Sequence, residues 1–237
     1  MTRNKMYLLL PIRCILFLLI FFVGSLLVHK SFDEISSWWS IVASAVNILT
    51  ILLLIYAAKK NGITYFGLIN FDKKKIHVGK TILIMIIGAV IGMSGMYLSG
   101  LICYGSFMPA VSIKMIAPIP MPFAVVNILL LPVSSTLAED GLYLGAGVGR
   151  IENKYAAVII PTFFYALQHC FIPIMLDAKY MAYRFISFLP CALAFSIYYY
   201  KKREPLPIMA AHALLDLATA ISIFINSAFP DFFSSML

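Results

Sequence analysis

Residues 206–228 read LPIMAAHALLDLATAISIFINSA, and this stretch decides the class of fold. It is long enough to cross the hydrocarbon core of a bilayer as a helix, which takes about 20 apolar residues. It also holds His212 and Asp216, and a charged side chain at mid-bilayer costs about 3 kcal/mol. At i and i+4, the two side chains share one face of a helix. The stretch therefore predicts a membrane-spanning helix that carries functional polar groups.

Other apolar stretches of similar length precede it. The chain has 237 residues, of which 62% are hydrophobic and 12% charged, whereas a soluble domain is about half apolar and a quarter charged. The length leaves room for about seven spans and for no second soluble domain. We therefore expect an all-α polytopic membrane bundle of about seven transmembrane helices, a single domain over residues 1–237. The stretches are 6–28, 38–58, 81–104, 121–145, 155–176, 183–200 and 206–228.

The positive charges predict how the bundle is oriented. With the N-terminus in the cytoplasm, most Lys and Arg residues fall on inside segments, as the positive-inside rule requires. The inside set is Arg3, Lys5, Lys59, Lys60, Lys73, Lys74, Lys75, Lys80, Arg150, Lys154, Lys201, Lys202 and Arg203, and the outside set is Lys30, Lys114, Lys179 and Arg184. Trp38 and Trp39 then lie at the outer interface, where aromatic belts form. The net charge of +8 is thus explained by topology, and no nucleic-acid partner is expected.

The first stretch, 6–28, is expected to be a retained span. It is longer than the core of a signal peptide, and no small-residue cleavage site closes it. Arg13 lies within this stretch near its cytoplasmic end. We expect its long side chain to reach the lipid headgroups.

Two other features of the first half carry expectations about packing. Segment 59–80 mixes aromatic and aliphatic residues with lysines, so it either lies flat on the anionic inner leaflet or forms an ordinary basic loop. Gly88 and Gly92, followed by Gly95 and Ser99, place small residues along one side of the third span. This spacing predicts close helix packing inside the bundle.

Two adjacent acids interrupt the fourth stretch. Glu139 and Asp140 follow the sequence SSTLA and precede GLYLG. Neighbouring helical positions point about 100° apart, so both acids face the interior only if they share a polar seam. Acids at a helix end that reach the inner headgroups are the alternative, but inner ends favour Lys and Arg. We predict a carboxylate pair suited to general acid–base chemistry.

His169 closes the fifth stretch in the sequence YALQH. Tyr165 lies at i−4, on the same helical face. A lone membrane histidine is often only an interhelical hydrogen-bond partner, but the other ionisable groups of the chain favour a shared site. Helical rise brings His169 to the depth of Glu139 if its helix begins near Pro161 rather than near Tyr155.

The order of these elements resembles the CPBP intramembrane proteases, also called the Abi or type II CAAX prenyl endopeptidase family. That family has a Glu-Glu-x-x-x-Arg element, then Phe-x-x-x-His, then His-x-x-x-Asn/Asp, on three membrane helices. Similar elements occur here as Glu139-Asp140, Tyr165 to His169 and His212 to Asp216, and the resemblance covers roughly residues 120–220. Three positions depart from the pattern: Asp140 replaces the second Glu, Tyr165 replaces Phe, and Leu144 replaces Arg.

The resemblance implies an intramembrane endopeptidase that hydrolyses a peptide bond near the cytoplasmic leaflet. It implies that Glu139 and His169 activate water, that Asp140 supports them, and that His212 and Asp216 stabilise the oxyanion or bind metal. A divalent metal such as zinc, with His169, His212 and Asp216 as ligands, is left open. The expected partners are membrane lipid and a membrane-associated peptide or protein substrate, and the oligomeric state is not indicated.

The resemblance also implies a setting and leaves two alternatives. A multi-pass protein of a bacterial plasma membrane is expected, acting in bacteriocin self-immunity or peptide maturation. Because Leu144 stands at the arginine position, a catalytically impaired member that binds peptide as an immunity protein is one alternative. A small proton-coupled transporter that uses Glu139 and Asp140 is the other, although no internal repeat supports it.

Overall fold

Helices dominate the computed structural model, which describes residues 3–230 and 232. Within those residues no strand is formed, and seven α-helices make up the body of the bundle. They are α1 (Ile12–Val28), α2 (Trp39–Lys60), α3 (Val78–Tyr104), α4 (Met121–Ser135), α5 (Ala156–Gln168), α6 (Ala178–Lys202) and α7 (Leu206–Ala228). The predicted all-α polytopic bundle is confirmed. Residues 1, 2, 231 and 233–237, at the ends of the predicted domain, lie outside the described residues.

Shorter helical segments connect or extend these helices. A π-helix, Thr136–Val148, continues α4 without a break. The short 3₁₀-helices are Arg3–Leu9, Ser36–Trp38, Lys73–Lys75 and Ala110–Ile116, and the single α-turns are Phe32–Ile35 and Tyr65–Leu68.

Six helical stretches are long and apolar enough to cross a membrane. They are Lys5–Val28, Phe32–Lys60, Val78–Tyr104, Met121–Val148, Ala178–Lys202 and Leu206–Ala228. The fifth predicted span, 155–176, is different, because α5 ends at Gln168 after 13 residues, about 20 Å of helix. After α5 the chain turns inside the bundle, where buried Arg184 donates to the carbonyls of His169 and Ile172. The chain is an integral membrane protein with six full-length candidate spans and one shorter helix in its described part.

The small residues of α3 pack closely inside the bundle, as their spacing predicts. A Cβ added to Gly88 would lie 2.7 Å from the Cβ of Ala211 in α7. One added to Gly95 would collide with the backbone carbonyl of Ser187 in α6. The hydroxyl groups of Ser99 and Ser187 share a hydrogen bond of 2.5 Å. The helix α3 therefore packs between α6 and α7, antiparallel to the first and parallel to the second.

A row of small polar side chains joins α2 to α4. Nδ2 of Asn127 donates to Oγ of Ser40 at 2.9 Å. Nδ2 of Asn47 donates to the hydroxyl oxygens of Ser134 and Ser135, at 3.0 Å each. Such interhelical bonds contribute about 0.6–2 kcal/mol in a membrane. Because the contacts advance along both helices in the same direction, α2 and α4 run parallel, and the row leads toward the acids of the π-helix.

The connection between α2 and α3 folds into the end of the bundle. We call residues 61–77 the capping segment. Leu68 and Ile69 are each 1% exposed, and Oη of Tyr65 donates to the carbonyl of Leu137 at 2.5 Å. Oη of Tyr199 donates to the carbonyl of Ile69 at 2.9 Å. Neither expectation for this region, a segment flat on the leaflet or an ordinary loop, describes its buried centre.

Candidate functional site

The five residues singled out by the sequence converge inside the bundle. Glu139 and Asp140 lie in the π-helix, His169 directly follows α5, and His212 and Asp216 lie in α7. The Nε2 atoms of His169 and His212 are 3.9 Å and 3.8 Å from Oε2 of Glu139. His212 is also 3.4 Å from Asp140 and 3.5 Å from Asp216. Three separate stretches of the chain thus form one polar cluster.

The π-helix carries the two acids. It begins at Thr136, four residues after Pro132, whose missing N–H interrupts the α-helical hydrogen-bond ladder. Oγ1 of Thr136 donates to the carbonyl of Pro132 at 3.0 Å. π-helical turns are rare and often mark functional sites. Gly141 lets Tyr65 approach the π-helix closely, because a Cβ there would lie 2.7 Å from Oη of Tyr65.

The helix that precedes His169 does not begin near Pro161, as its depth in the membrane had suggested. The helix α5 begins at Ala156, and Pro161 lies inside it rather than at its start. The ring of Pro161 packs against the π-helix, where a Cβ on Gly147 would be 2.8 Å from its Cγ. This contact holds α5 beside the acids.

Both carboxylate oxygens of Glu139 accept hydrogen bonds. Nη2 of Arg13 lies 2.8 Å from Oε1, and Nε2 of Gln168 donates to Oε2 across 2.6 Å. Arg13 also donates from Nε to Oε1 of Gln168 at 2.5 Å and from Nη1 to Oγ1 of Thr50 at 3.3 Å. The hydroxyl of Tyr143 donates to the same amide oxygen at 3.1 Å. The orientation of Glu139 is thereby fixed.

Arg13 does not reach the headgroups, and that expectation is wrong. Its side chain is 0% exposed. Polar partners from α2, the π-helix and α5 surround it, whereas the sequence alone showed only its place in the first span. The ion pair with Glu139 offsets part of the cost of placing a guanidinium in the interior of a membrane bundle.

The tautomer of His169 follows from its surroundings. Its Nδ1 is 2.8 Å from the carbonyl oxygen of Tyr165. A carbonyl only accepts, so Nδ1 carries the proton and Nε2 of the neutral ring is an acceptor. The ring stacks on Phe188 with centroids 3.4 Å apart and planes inclined by 13°. These contacts direct the Nε2 lone pair toward Glu139.

Tyr165 links His212 to Asp140. Oη of Tyr165 donates to Oδ1 of Asp140 at 2.9 Å and lies 3.0 Å from Nδ1 of His212. The direct separation of Asp140 and His212 is longer, 3.4 Å. Because the hydroxyl proton goes to Asp140, the oxygen accepts from Nδ1–H of His212. The ring is held with Nε2 between Glu139 and Asp216.

Leu144 leaves the position of the motif arginine apolar. Its side chain is 1% exposed and belongs to the main hydrophobic core. The guanidinium that contacts Glu139 comes instead from Arg13, in α1. The departure at Leu144 therefore does not leave the first acid without a cation.

The residues present do not fit a resident divalent metal. Within residues 3–230 and 232, no three His, Cys, Asp or Glu side chains are arranged to hold a metal ion. His169, His212 and Asp216 were the ligands left open by the sequence. The guanidinium of Arg13, 2.8 Å from Glu139, repels a second cation at that carboxylate.

A cleft of about 470 Å³, including its open mouth, leads away from the cluster. Glu139, His169 and Asp216 lie at one end of it, and Trp39 and Met115 lie at the other. Asp216 has a side chain that is 25% exposed, whereas that of Glu139 is 6% exposed. The cluster is thus buried at Glu139 and partly exposed at Asp216, beside the cleft.

Sequence reasoning missed the groups that orient Glu139. These are Arg13, Thr50, Tyr143 and Gln168. Two of them carried a usable signal: an arginine inside a span and an amide directly before His169 are both costly in hydrocarbon unless paired. Thr50 and Tyr143 are ordinary residues of membrane helices and carried none.

Comparison with known proteins bears on the same part of the chain. Residues 120–218 match the family model described as type II CAAX prenyl endopeptidase Rce1-like. No curated protein and no solved structure matches the chain significantly. The matched residues include the π-helix, α5, α6 and the part of α7 that holds His212 and Asp216. The segment 120–218 is therefore similar to the Rce1-like family of CAAX-type proteases, and the resemblance indicated by the order of its three motifs is confirmed.

Proposed function

We propose that this protein is an intramembrane endopeptidase in which Glu139 and His169 activate a water molecule. The observation that carries the proposal is the position of Oε2 of Glu139, 3.9 Å and 3.8 Å from the Nε2 atoms of His169 and His212. These separations are too long for direct hydrogen bonds and suit one bridging water. A carboxylate and an imidazole acceptor on the same water are the groups that general-base hydrolysis requires.

In the proposed reaction Glu139 takes one proton from the water. The second O–H group of the water donates a hydrogen bond to the Nε2 lone pair of His169. The oxygen attacks the carbonyl carbon of the scissile peptide bond, and the carbonyl oxygen acquires negative charge. The C–N bond then breaks, and the amine leaves with the proton that Glu139 had taken. The products are a new amine and a new carboxylic acid, which keeps the second proton of the water until it ionises in solvent, and Glu139 returns to its starting state.

In this proposal His212 is an imidazolium held among the carboxylates of Glu139, Asp140 and Asp216, and its Nε2–H is the donor to the developing oxyanion. Its Nε2 lies on the same side of the cluster as the water position, 3.8 Å from Glu139. Asp216 and the chain from Tyr165 to Asp140 hold the ring in place. A preorganised donor of this kind contributes about 2.7–4 kcal/mol to an acyl-transfer transition state.

The substrates in this proposal are membrane-associated peptides or proteins. We place the protein in a bacterial plasma membrane, with a role in peptide maturation or bacteriocin self-immunity. The match of residues 120–218 to a membrane protease family supports the peptide or protein substrate, and the bacterial setting and role are proposed from the resemblance of the motif order to the CPBP proteases. A prenylated peptide that ends in Cys-aliphatic-aliphatic-X is the first probe that this family suggests.

The test uses the full chain reconstituted in lipid vesicles. The probes are the prenylated peptide and a library of apolar peptides, and mass spectrometry detects new ends in water enriched in ¹⁸O. We expect a product with ¹⁸O in its new carboxyl group, unchanged by a chelator. Glu139→Gln and His169→Ala should each lower the rate at least 100-fold.

A matched variant and a clear contrary result complete this test. Ile221→Ala, a change of a half-exposed side chain on the same helix as His212, should leave the rate within about twofold. Peptide that binds the wild-type protein without any cleavage would favour the peptide-binding alternative. Cleavage that persists in Glu139→Gln would exclude the proposed base.

A further inference from the structure

The two ends of the bundle differ in how they close over the candidate site. The capping segment covers one end, where Leu68 and Ile69 are almost completely buried. A Cβ on Gly145 of the π-helix would lie 3.1 Å from Ile69 and 3.2 Å from Leu68. Nδ2 of Asn70 donates to the carbonyl of Arg203 at 2.8 Å, which joins the segment to the turn between α6 and α7. No gap separates the segment from the π-helix at these contacts.

The N-terminal residues add a second layer at the same end. Met6 and Leu10 are 0% and 1% exposed and belong to the same core as the π-helix. A Cβ on Gly147 would lie 3.0 Å from Cδ2 of Leu10. Nη1 of Arg203 donates to the carbonyl of Val148 at 3.2 Å. The last turn of the π-helix is therefore covered on its outer side as well.

The cleft extends from Glu139 in the opposite direction on every wall. Along α7 it runs from Asp216 to Thr219, away from the start of that helix at Leu206. On α2 it reaches Trp39 and Ala43, in the first two turns. Each of these helices has its other end beside the capping segment. The cluster thus communicates with the end of the bundle that carries Trp39.

Charge identifies the sides of the membrane to which these two ends belong. The end with the capping segment carries the lysines and arginines at 59, 60, 73–75, 80, 150, 154 and 201–203. The end with Trp39 carries Asp33, Glu34 and Asp177 beside Lys30, Lys114 and Lys179. Basic ends of spans stay in the cytoplasm, and acids contribute little to this preference. The part of the cleft that is lined by Trp39 and Ala43 therefore lies in the non-cytoplasmic half of the bilayer.

We infer that the peptide substrate reaches Glu139 through this cleft, from the non-cytoplasmic side, while the capping segment closes the cytoplasmic side. That the occupant of the cleft is a peptide substrate rests on the proposed function, whereas the path itself rests on the geometry of the cleft. It differs from the sequence expectation of cleavage near the cytoplasmic leaflet. It narrows the substrate class to peptides or protein segments exposed at the outer half of the membrane.

The path can be tested without an activity assay, by cysteine accessibility in a chain whose four native cysteines are replaced. Thr219→Cys lies on the cleft wall, and Ala218→Cys is its neighbour on the same helix with an exposed side chain outside the cleft. Lys179→Cys and Lys74→Cys are exposed markers for the two ends of the bundle. A charged, membrane-impermeant thiol reagent is applied to intact cells and to inverted membrane vesicles.

We expect Thr219→Cys to react from the side on which Lys179→Cys reacts, at least tenfold faster than Ala218→Cys. Both should react from outside the cell, and Lys74→Cys only in inverted vesicles. Reaction of Thr219→Cys from the side of Lys74→Cys, or from neither side, would overturn the proposed path. Reaction of Lys179→Cys from the cytoplasm would overturn the assignment of sides. None of these outcomes depends on proteolysis, so they are separate from the failure or success of the proposed function.

Discussion

Arg13 and Glu139 form a buried ion pair across 2.8 Å although 126 residues separate them in the chain. Arg13 lies in α1, outside the Rce1-like segment 120–218, and Glu139 lies within it. The same guanidinium fixes Gln168, whose amide is the second donor to the carboxylate. The N-terminal helix thus takes part in orienting the proposed base.

Removal of Arg13 alone should destabilise the protein, because Glu139 would remain buried without its cation. We expect Arg13→Gln to lower the free energy of unfolding by about 3–5 kcal/mol. The double variant Arg13→Gln/Glu139→Gln should recover most of that loss, since both charges are then absent. Denaturant unfolding in detergent micelles measures these differences. Lys5→Gln, an exposed cation of the same region, should change stability by less than about 0.5 kcal/mol.

Arg13→Lys separates charge from geometry. A lysine keeps the positive charge but cannot donate in a fork to both Glu139 and Gln168. We expect a smaller loss of stability than in Arg13→Gln, because the charge is kept, and a fall in kcat with little change in KM. A double variant no more stable than Arg13→Gln, together with full activity of Arg13→Lys, would show that the pair has no positioning role.

Tyr165→Phe should reduce turnover, because the hydroxyl connects Asp140 and His212. A hydrogen bond to a charged group contributes about 1.5–3 kcal/mol, which corresponds to roughly 10–150-fold in rate. Adding Asp140→Glu should restore part of this loss, because the longer side chain extends toward His212. Tyr180→Phe is the matched control, since its buried hydroxyl has no hydrogen-bond partner among the described residues. Equal losses in the two phenylalanine variants would contradict the linking role.

The sequence could predict the helices and the cluster because both depend on local patterns. Apolar stretches of 20 or more residues define spans, and polar groups inside them are costly unless they gather. This reasoning found Glu139, His169 and His212 on three stretches. In the structure, the Nε2 atom of each histidine lies within 4 Å of Oε2 of Glu139.

The features that sequence reasoning missed depend on contacts between distant parts of the chain. The partners of Arg13 lie on three other helical elements, so its place in the first span suggested the headgroups instead. The length of α5 was overestimated because residues 169–176 are apolar, yet Arg184 holds them in turns inside the bundle. The capping segment is buried by the π-helix, whose position no local pattern indicates.

Gly95→Ala should destabilise the packing of α3 on α6, because the added Cβ meets the backbone carbonyl of Ser187 rather than a movable side chain. Overpacking of this kind costs about 1–3 kcal/mol. Gly79→Ala, at the start of the same helix, has no atom within 4 Å of the new Cβ and should be neutral or slightly stabilising. Thermal unfolding of both variants in one detergent tests the contrast. A Gly95 variant as stable as the Gly79 variant would contradict the close approach of the two helices.

Glu204 should make a small, pH-dependent contribution to stability at the end of the bundle covered by the capping segment. The hydrogen bond from Lys80 lowers the pKa of this carboxyl from its ordinary value. A carboxyl whose pKa is lower in the folded state stabilises that state above its unfolded pKa of about 4.3. The contribution is lost as the pH falls through the folded pKa. We therefore expect Glu204→Gln to be less stable than the wild type by about 0.2–1 kcal/mol at pH 7.

The difference in stability between the wild type and Glu204→Gln should be constant from about pH 7 to pH 5 and should disappear at lower pH. It should also shrink in 1 M salt, because the pair is partly exposed and the Debye length falls to about 3 Å. Melting curves of both proteins at several pH values measure this difference. In a Lys80→Met/Glu204→Gln double variant, as in Glu204→Gln alone, position 204 should make no pH-dependent contribution to stability. A difference that grows as the pH falls would mean that the carboxyl is held in its neutral form, opposite to the ion pair found between Lys80 and Glu204.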